Sequence, residues 1–168
     1  RQIVEQHGGF VAEYLGDGLL VYFGYPGAHE DDAERAVRAG LELVADVPKL
    51  VTAANETLHV RIGVATGVVV VGDQIGSGDV RKRGVVGDTP NLAARLQAIA
   101  EADSLVVCAA TRKLLGALFS MERLGAQDLK GLSRPVEVFR VLGESGADDR
   151  FRALRSEAAP FVGREEEL

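Results

Sequence analysis

Apolar positions along the chain fall into short runs that alternate between a helical and a strand-like period. "RQIVEQHGG" has an apolar edge at Ile3 and Val4 and ends on Gly8 and Gly9, the pattern of a helix closed by glycine. Phe10–Leu15 and Leu19–Phe23 are strand-length runs around Gly16-Asp17-Gly18, a hairpin signal. From Pro26 to Val47 the spacing becomes helical, with Ala33, Ala36, Val37, Leu41 and Val44 on one face. Glu30, Asp31 and Asp32 fall in the first turn of that helix, where the macrodipole favours acids. Leu58–Gly67 and Val68–Gly76 are the next two strands, turning near Gly67. Their apolar runs predict a central sheet covered on both faces. Residues 76–84, "GSGDVRKRG", read as a polar loop. "DTPNLAARLQAIAEA" predicts a second long helix, capped by Asp88 or Thr89 with Pro90 at the first helical position. A strand at "LVVC", a short helix at "TRKLLGAL" and a last strand at "VEVFRVL" complete the pattern.

Strands and helices alternate, yet two of the strand pairs read as hairpins. The sheet is therefore mixed, and the expected class is α+β of the ferredoxin-like kind. At 168 residues and 46% hydrophobic content the chain can bury one proper core over residues 1–142. Residues 143–159 turn polar and alanine-rich and read as a linker. No apolar run is long enough to span a bilayer and no signal-peptide pattern is present, so a cytoplasmic domain with no membrane contact is expected. The net charge of −6 argues against a nucleic-acid surface. The absence of Trp and the 5% aromatic content argue against an RNA-binding sheet in particular. The single cysteine, Cys108, permits no internal disulfide and reads as a small buried hydrophobe. The chain begins at Arg1 rather than Met and reads as part of something longer.

Several residues have the right chemistry for a site, and each has a plainer reading beside it. Asp17, between two glycines, is either a common turn residue or a ligand for a hard cation. Mg²⁺ takes one or two carboxylates together with substrate phosphates. Asn91 and Arg95 are four apart and project from one helix face, while Leu92, Ala93, Leu96 and Ile99 line the other side. That pair is either a solvated face or a hydroxyl-orienting amide next to a phosphate-binding guanidinium. Lys130, before Gly131 and just upstream of a strand, is either a solvated loop lysine or a phosphate contact. The "RKR" run at Arg81–Arg83 reads as a loop, and His29 with the acids after it reads as a helix start rather than a metal cluster.

In order and spacing, "YLGDGLLVYFG", "VRIGVATGVVVVG", "VVGDTPNLAARL" and "LKG" before the final strand together resemble the class III nucleotidyl cyclases, the adenylyl and guanylyl cyclase catalytic domains. The resemblance covers roughly residues 1–142. The texture of "GYPGAHEDDAERAVRAGL" is similar to bacterial cyclases that precede a regulatory ATPase, and "PFVGREEEL" at 160–168 is similar to the start of such a module. The resemblance implies formation of a 3′,5′-cyclic nucleotide and pyrophosphate from a nucleoside triphosphate, with Mg²⁺ or Mn²⁺ as cofactor. It places Asp17 as a metal ligand, Asn91 at the ribose, Arg95 at the α-phosphate and Lys130 at the triphosphate tail. It also implies a head-to-tail homodimer with shared sites.

The family's other metal aspartate lies on a strand that would precede Arg1, so residues 1–168 alone are expected to be inactive. The base-reading positions correspond to Glu13 and Gly84. Glutamate at the first is the guanylyl-cyclase choice, because a carboxylate accepts from guanine N1–H and its amino group. Gly84 fits neither the adenine nor the guanine pattern. The subfamily texture favours ATP. Guanylate cyclase, and a degenerate domain that serves as a regulatory dimerisation or nucleotide-sensing module, are the alternatives.

Overall fold

The computed structural model of the protein describes residues 1–50, 55–73 and 83–146, and at 71–73 and 83–86 the backbone only. A short helix α1 (Gln2–Gln6) leads into β1 (Phe10–Leu15) and β2 (Gly18–Tyr22), followed by α2 (Asp32–Asp46) and a 3₁₀ turn at Val47–Lys49. Then come β3 (Arg61–Val64), β4 (Val70–Asp73), β5 (Arg83–Val86), α3 (Asp88–Ile99), β6 (Ser104–Cys108), α4 (Ala109–Leu115), β7 (Phe119–Gln127) and β8 (Val136–Glu144). The expected linker beyond residue 146, the expected module start at 160–168, and Arg81 and Lys82 lie outside the described residues.

The described strands form a four-stranded sheet in the order β3-β6-β8-β7 and two antiparallel pairs, β1-β2 and β4-β5. β3 and β6 run parallel, while β8 is antiparallel to both its neighbours. The class is mixed α+β, as the alternation of elements implies. β6 is the strand covered on both faces, which is why "LVVC" within it is an unbroken apolar run. Leu105 and Val107 face one core with Val37 of α2, Leu115 of α4 and Phe119. Val106 and Cys108 face another with Leu96 of α3, Leu129 and Val138. Cys108 is buried, and its Sγ lies 3.4 Å from Thr111 Oγ1, as its apolar sequence context implies.

α2 buries the face its period marks. Ala36 and Val37 are fully buried, and Ala33, Leu41 and Val44 pack around them. Its N-terminus is organised by Asp32, whose Oδ2 accepts the His29 N–H at 2.7 Å. The acids there serve the helix start, and the described residues hold no group of three or more His, Cys, Asp or Glu able to bind a metal.

Four expectations are corrected. Residues 58–76 do not form a hairpin: β3 joins the large sheet and β4 pairs with β5 instead. The "VVVV" run is not a covered centre, since Val68 is 91% and Val70 67% exposed in this chain. An apolar run states that a segment wants cover, not which surface supplies it. β5 and β7 were not expected at all. The alternation of β7 is broken by register shifts at Ser120/Met121 and Arg123/Gly125, so no single period runs through it. α3 is capped by Gly87, with Asp88 already helical and Pro90 two residues further in, and Ile99 stays exposed.

Close packing at one glycine sets where α3 lies. A Cβ on Gly63 of β3 would come within 2.3 Å of the Ala93 carbonyl oxygen and 2.4 Å of the Gln97 nitrogen. Both are helix backbone and cannot rotate away. Gly63→Ala is therefore expected to destabilise the domain by about 3 kcal/mol, the upper end for overpacking. Urea unfolding checks this, and an unchanged midpoint would refute the close approach.

Candidate active site

Asp17 stands at the tip of the β1–β2 hairpin. Leu15 pairs with Gly18, so Gly16 and Asp17 are the two loop residues. Gly16 has φ +63°, whereas Asp17 is not among the residues with positive φ. These are the φ signs of a type II′ turn, whose special demand falls on the first loop residue. Gly16 meets that demand, and the turn does not require a carboxylate at 17. Asp17 is exposed and makes no hydrogen bond or ion pair among the described residues. A single free carboxylate at a glycine-flanked tip fits one Mg²⁺ or Mn²⁺ position completed by phosphate oxygens. Among the described residues Asp17 is not part of any group of three or more His, Cys, Asp or Glu able to hold a metal.

Glu13 lies at a bulge, because the pairing slips between Val11 and Glu13. Bulges re-aim side chains in this way. Glu13 is exposed, so water meets its charge, and no described group hydrogen-bonds it. The Tyr22 phenol nearby is held above its ordinary pKa, first by burial and then by the Glu13 charge. Gly84 lies on β5 opposite Gly72.

The second group of residues is carried by α3. The helix start is tied to the connection between β3 and β4 by Thr89, whose Oγ1 donates to the Val68 carbonyl at 3.2 Å. Asn91 is exposed one turn before Arg95. Leu96 is buried against Leu129, which draws the loop carrying Lys130 and Gly131 onto the helix. Arg95 is half-buried and has no carboxylate partner among the described residues. Its guanidinium rests on Gly131, with Nη2 3.0 Å from where a Cβ there would lie. Lys130 is exposed beside it.

Of the residues chosen from sequence, Asn91, Arg95 and Lys130 are thus gathered at α3 and its neighbouring loop. Glu13 and Asp17 share the hairpin. No described hydrogen bond or ion pair joins the two groups within one chain. Sequence reasoning treated Thr89 only as a cap and Gly131 only as the residue after Lys130. The glycine directly after the lysine was the one available signal for the contact with Arg95.

Comparison with known proteins identifies the family. The family described as the adenylate and guanylate cyclase catalytic domain matches residues 1–143. The uncharacterized protein R02095 of Rhizobium meliloti (strain 1021) is 35% identical over 169 residues, covering 100% of this chain. The chain spans 16% of that relative's length. The guanylate cyclase domain of RhGC from Catenaria anguillulae, solved in complex with GTP, superposes with a TM-score of 0.79 at 27% identity, covering 86% of this chain and 78% of that one. The adenylyl cyclase CyaB from P. aeruginosa superposes with a TM-score of 0.77 at 26% identity, covering 86% and 77%. A mixed α+β fold and a match over most of the length place the chain in a single class. It belongs to the adenylate and guanylate cyclase catalytic domain family, the class III cyclases.

Proposed function

We propose that the full-length protein is a nucleotidyl cyclase that converts ATP to 3′,5′-cyclic AMP and pyrophosphate. In the reaction the ribose 3′-hydroxyl oxygen bonds to the α-phosphorus and gives up its proton to water, and the bond from that phosphorus to the oxygen bridging it to the β-phosphate breaks, releasing pyrophosphate. The observation that carries this reading is Arg95, a half-buried guanidinium without a carboxylate partner among the described residues, set beside Lys130 and one turn from Asn91. Such a cation is poised for an anion, and an arginine fork suits phosphate oxygens. Arg95 stabilises charge developing on the α-phosphate, Lys130 holds the triphosphate tail, and Asn91 orients the ribose. Asp17 would hold a Mg²⁺ or Mn²⁺ ion, which when bound neutralises phosphate charge and polarises the reacting oxygens.

The site is built between two copies of the chain, with the hairpin of one facing α3 of the other. Support comes from the lack of any described hydrogen bond or ion pair between Asp17 and Arg95 within one chain. The apolar surface left open at Tyr14 (64%), Leu15 (52%) and Val68 (91%) needs cover and supports the same arrangement. Cytoplasmic location and a downstream ATPase in the same protein complete the proposal. The described residues contain no helix long and apolar enough to cross a membrane.

Glu13 favours a second reading, in which the base is guanine, because an exposed, unpaired carboxylate can accept from its N1–H and amino group. One assay decides between them. Full-length protein is incubated with ATP or GTP and Mg²⁺ or Mn²⁺, and the products are separated by chromatography. Cyclic AMP is expected. Cyclic GMP alone would transfer the assignment to guanylate cyclase. Nucleotide binding with no cyclic product would leave a regulatory domain.

A further inference from the structure

The turn that carries Lys130 does more than present a lysine. Leu129 anchors it in the core under α3, 5% exposed, and Gly131 follows with φ +79°. A Cβ at Gly131 would stand 3.0 Å from Nη2 of Arg95 and 3.7 Å from its Cζ. Arg95 has no ion pair or hydrogen bond among the described residues, so packing rather than polar contact sets its direction. We propose that Gly131 is a positioning residue for Arg95: its bare Cα provides the space in which the guanidinium rests and so sets its aim. The proposal deepens the cyclase reading and rests on Arg95 acting at the triphosphate.

The physical consequence is specific. Arg95 approaches Gly131 with the far end of a flexible side chain. A methyl added at 131 therefore displaces the guanidinium rather than the helix, and no carboxylate among the described residues is bonded to it to re-anchor it. Misplacing a catalytic group by a fraction of its working distance costs rate more than binding. Gly131→Ala also carries the strain of a left-handed backbone, which must be separated from the contact. Gly125 supplies the control. It has the same φ of +79°, and nothing lies within 4 Å of where its Cβ would be.

The test is a double-mutant cycle in the full-length protein, read by kcat and KM for the nucleotide and by thermal melting. Gly131→Ala is expected to lower kcat by about 10-fold or more with KM changed by less than about 3-fold. Gly125→Ala should stay within about 2-fold of the parent rate, as expected for a substitution that touches no site residue. In an Arg95→Ala background, Gly131→Ala should make no further difference to kcat. Where Gly131→Ala melts too low to assay, Gly131→Asn tolerates positive φ better and still introduces a Cβ. A Gly131 loss that persists unchanged without Arg95, or that merely equals the Gly125 loss, overturns the positioning role alone. An Arg95→Ala protein that turns over at the parent rate overturns the reading beneath it.

Discussion

Asp17→Ala abolishes Mg²⁺- or Mn²⁺-dependent formation of cyclic nucleotide by the full-length protein while leaving its melting midpoint essentially unchanged. The two halves of this expected result have separate causes. The fold does not need the carboxylate, because Gly16 takes the positive φ of the turn and Asp17 is exposed with no described partner. Substitutions at such surface positions are close to neutral for stability. Under the proposed cyclase reading the chemistry does need it, because Mg²⁺ is usually held by one or two carboxylates together with substrate phosphates. Asp17→Asn keeps the shape and removes the charge, so it should be as inactive as the alanine variant. Product formation is followed by chromatography, and binding of Mn²⁺ in the presence of nucleotide by electron paramagnetic resonance. Turnover at the parent rate in Asp17→Ala would return the residue to a simple turn position.

Removal of the Arg95 side chain has the second-largest expected effect. Arg95→Ala should lower kcat by about 10²–10³-fold, the size seen when one donor to a developing oxyanion is deleted. KM should move much less, because the contact strengthens mainly as charge builds on the α-phosphate. Arg95→Lys restores the charge but not the planar fork, and so should recover only part of the loss. Melting should not fall with the rate, since no described ion pair or hydrogen bond is lost. Steady-state kinetics over a range of nucleotide concentration provide the check. A loss that appears wholly in KM would make Arg95 a ground-state anchor rather than a transition-state one.

The hairpin and α2 were legible because their signals are local. Alternating apolar residues around Gly16 and Asp17 need only a turn to pair, and β1 and β2 pair in that register. Ala36 and Val37 follow the helical period into the core regardless of what they meet there. β7 was not legible, since two bulges shift its parity midway and mix buried with exposed positions. β4 was misassigned for a different reason. Its apolar run was visible, but sheet membership depends on long-range pairing that no local pattern encodes.

The candidate site divides in the same way. Residue type marked Asp17, Asn91, Arg95 and Lys130 only as candidates, each with a plainer reading beside it, and the family resemblance in motif order supplied their expected roles. The sequence by itself determined that inventory, the helical spacing of Asn91 and Arg95, and the mixed α+β class. Tertiary structure alone decided which of those residues lie together. It brought the Lys130–Gly131 turn against Arg95 through Leu129 and Leu96, and it seated α3 on the bare backbone of Gly63. Each of these depends on how closely distant segments approach in space, a property of packing that spacing along the chain does not carry.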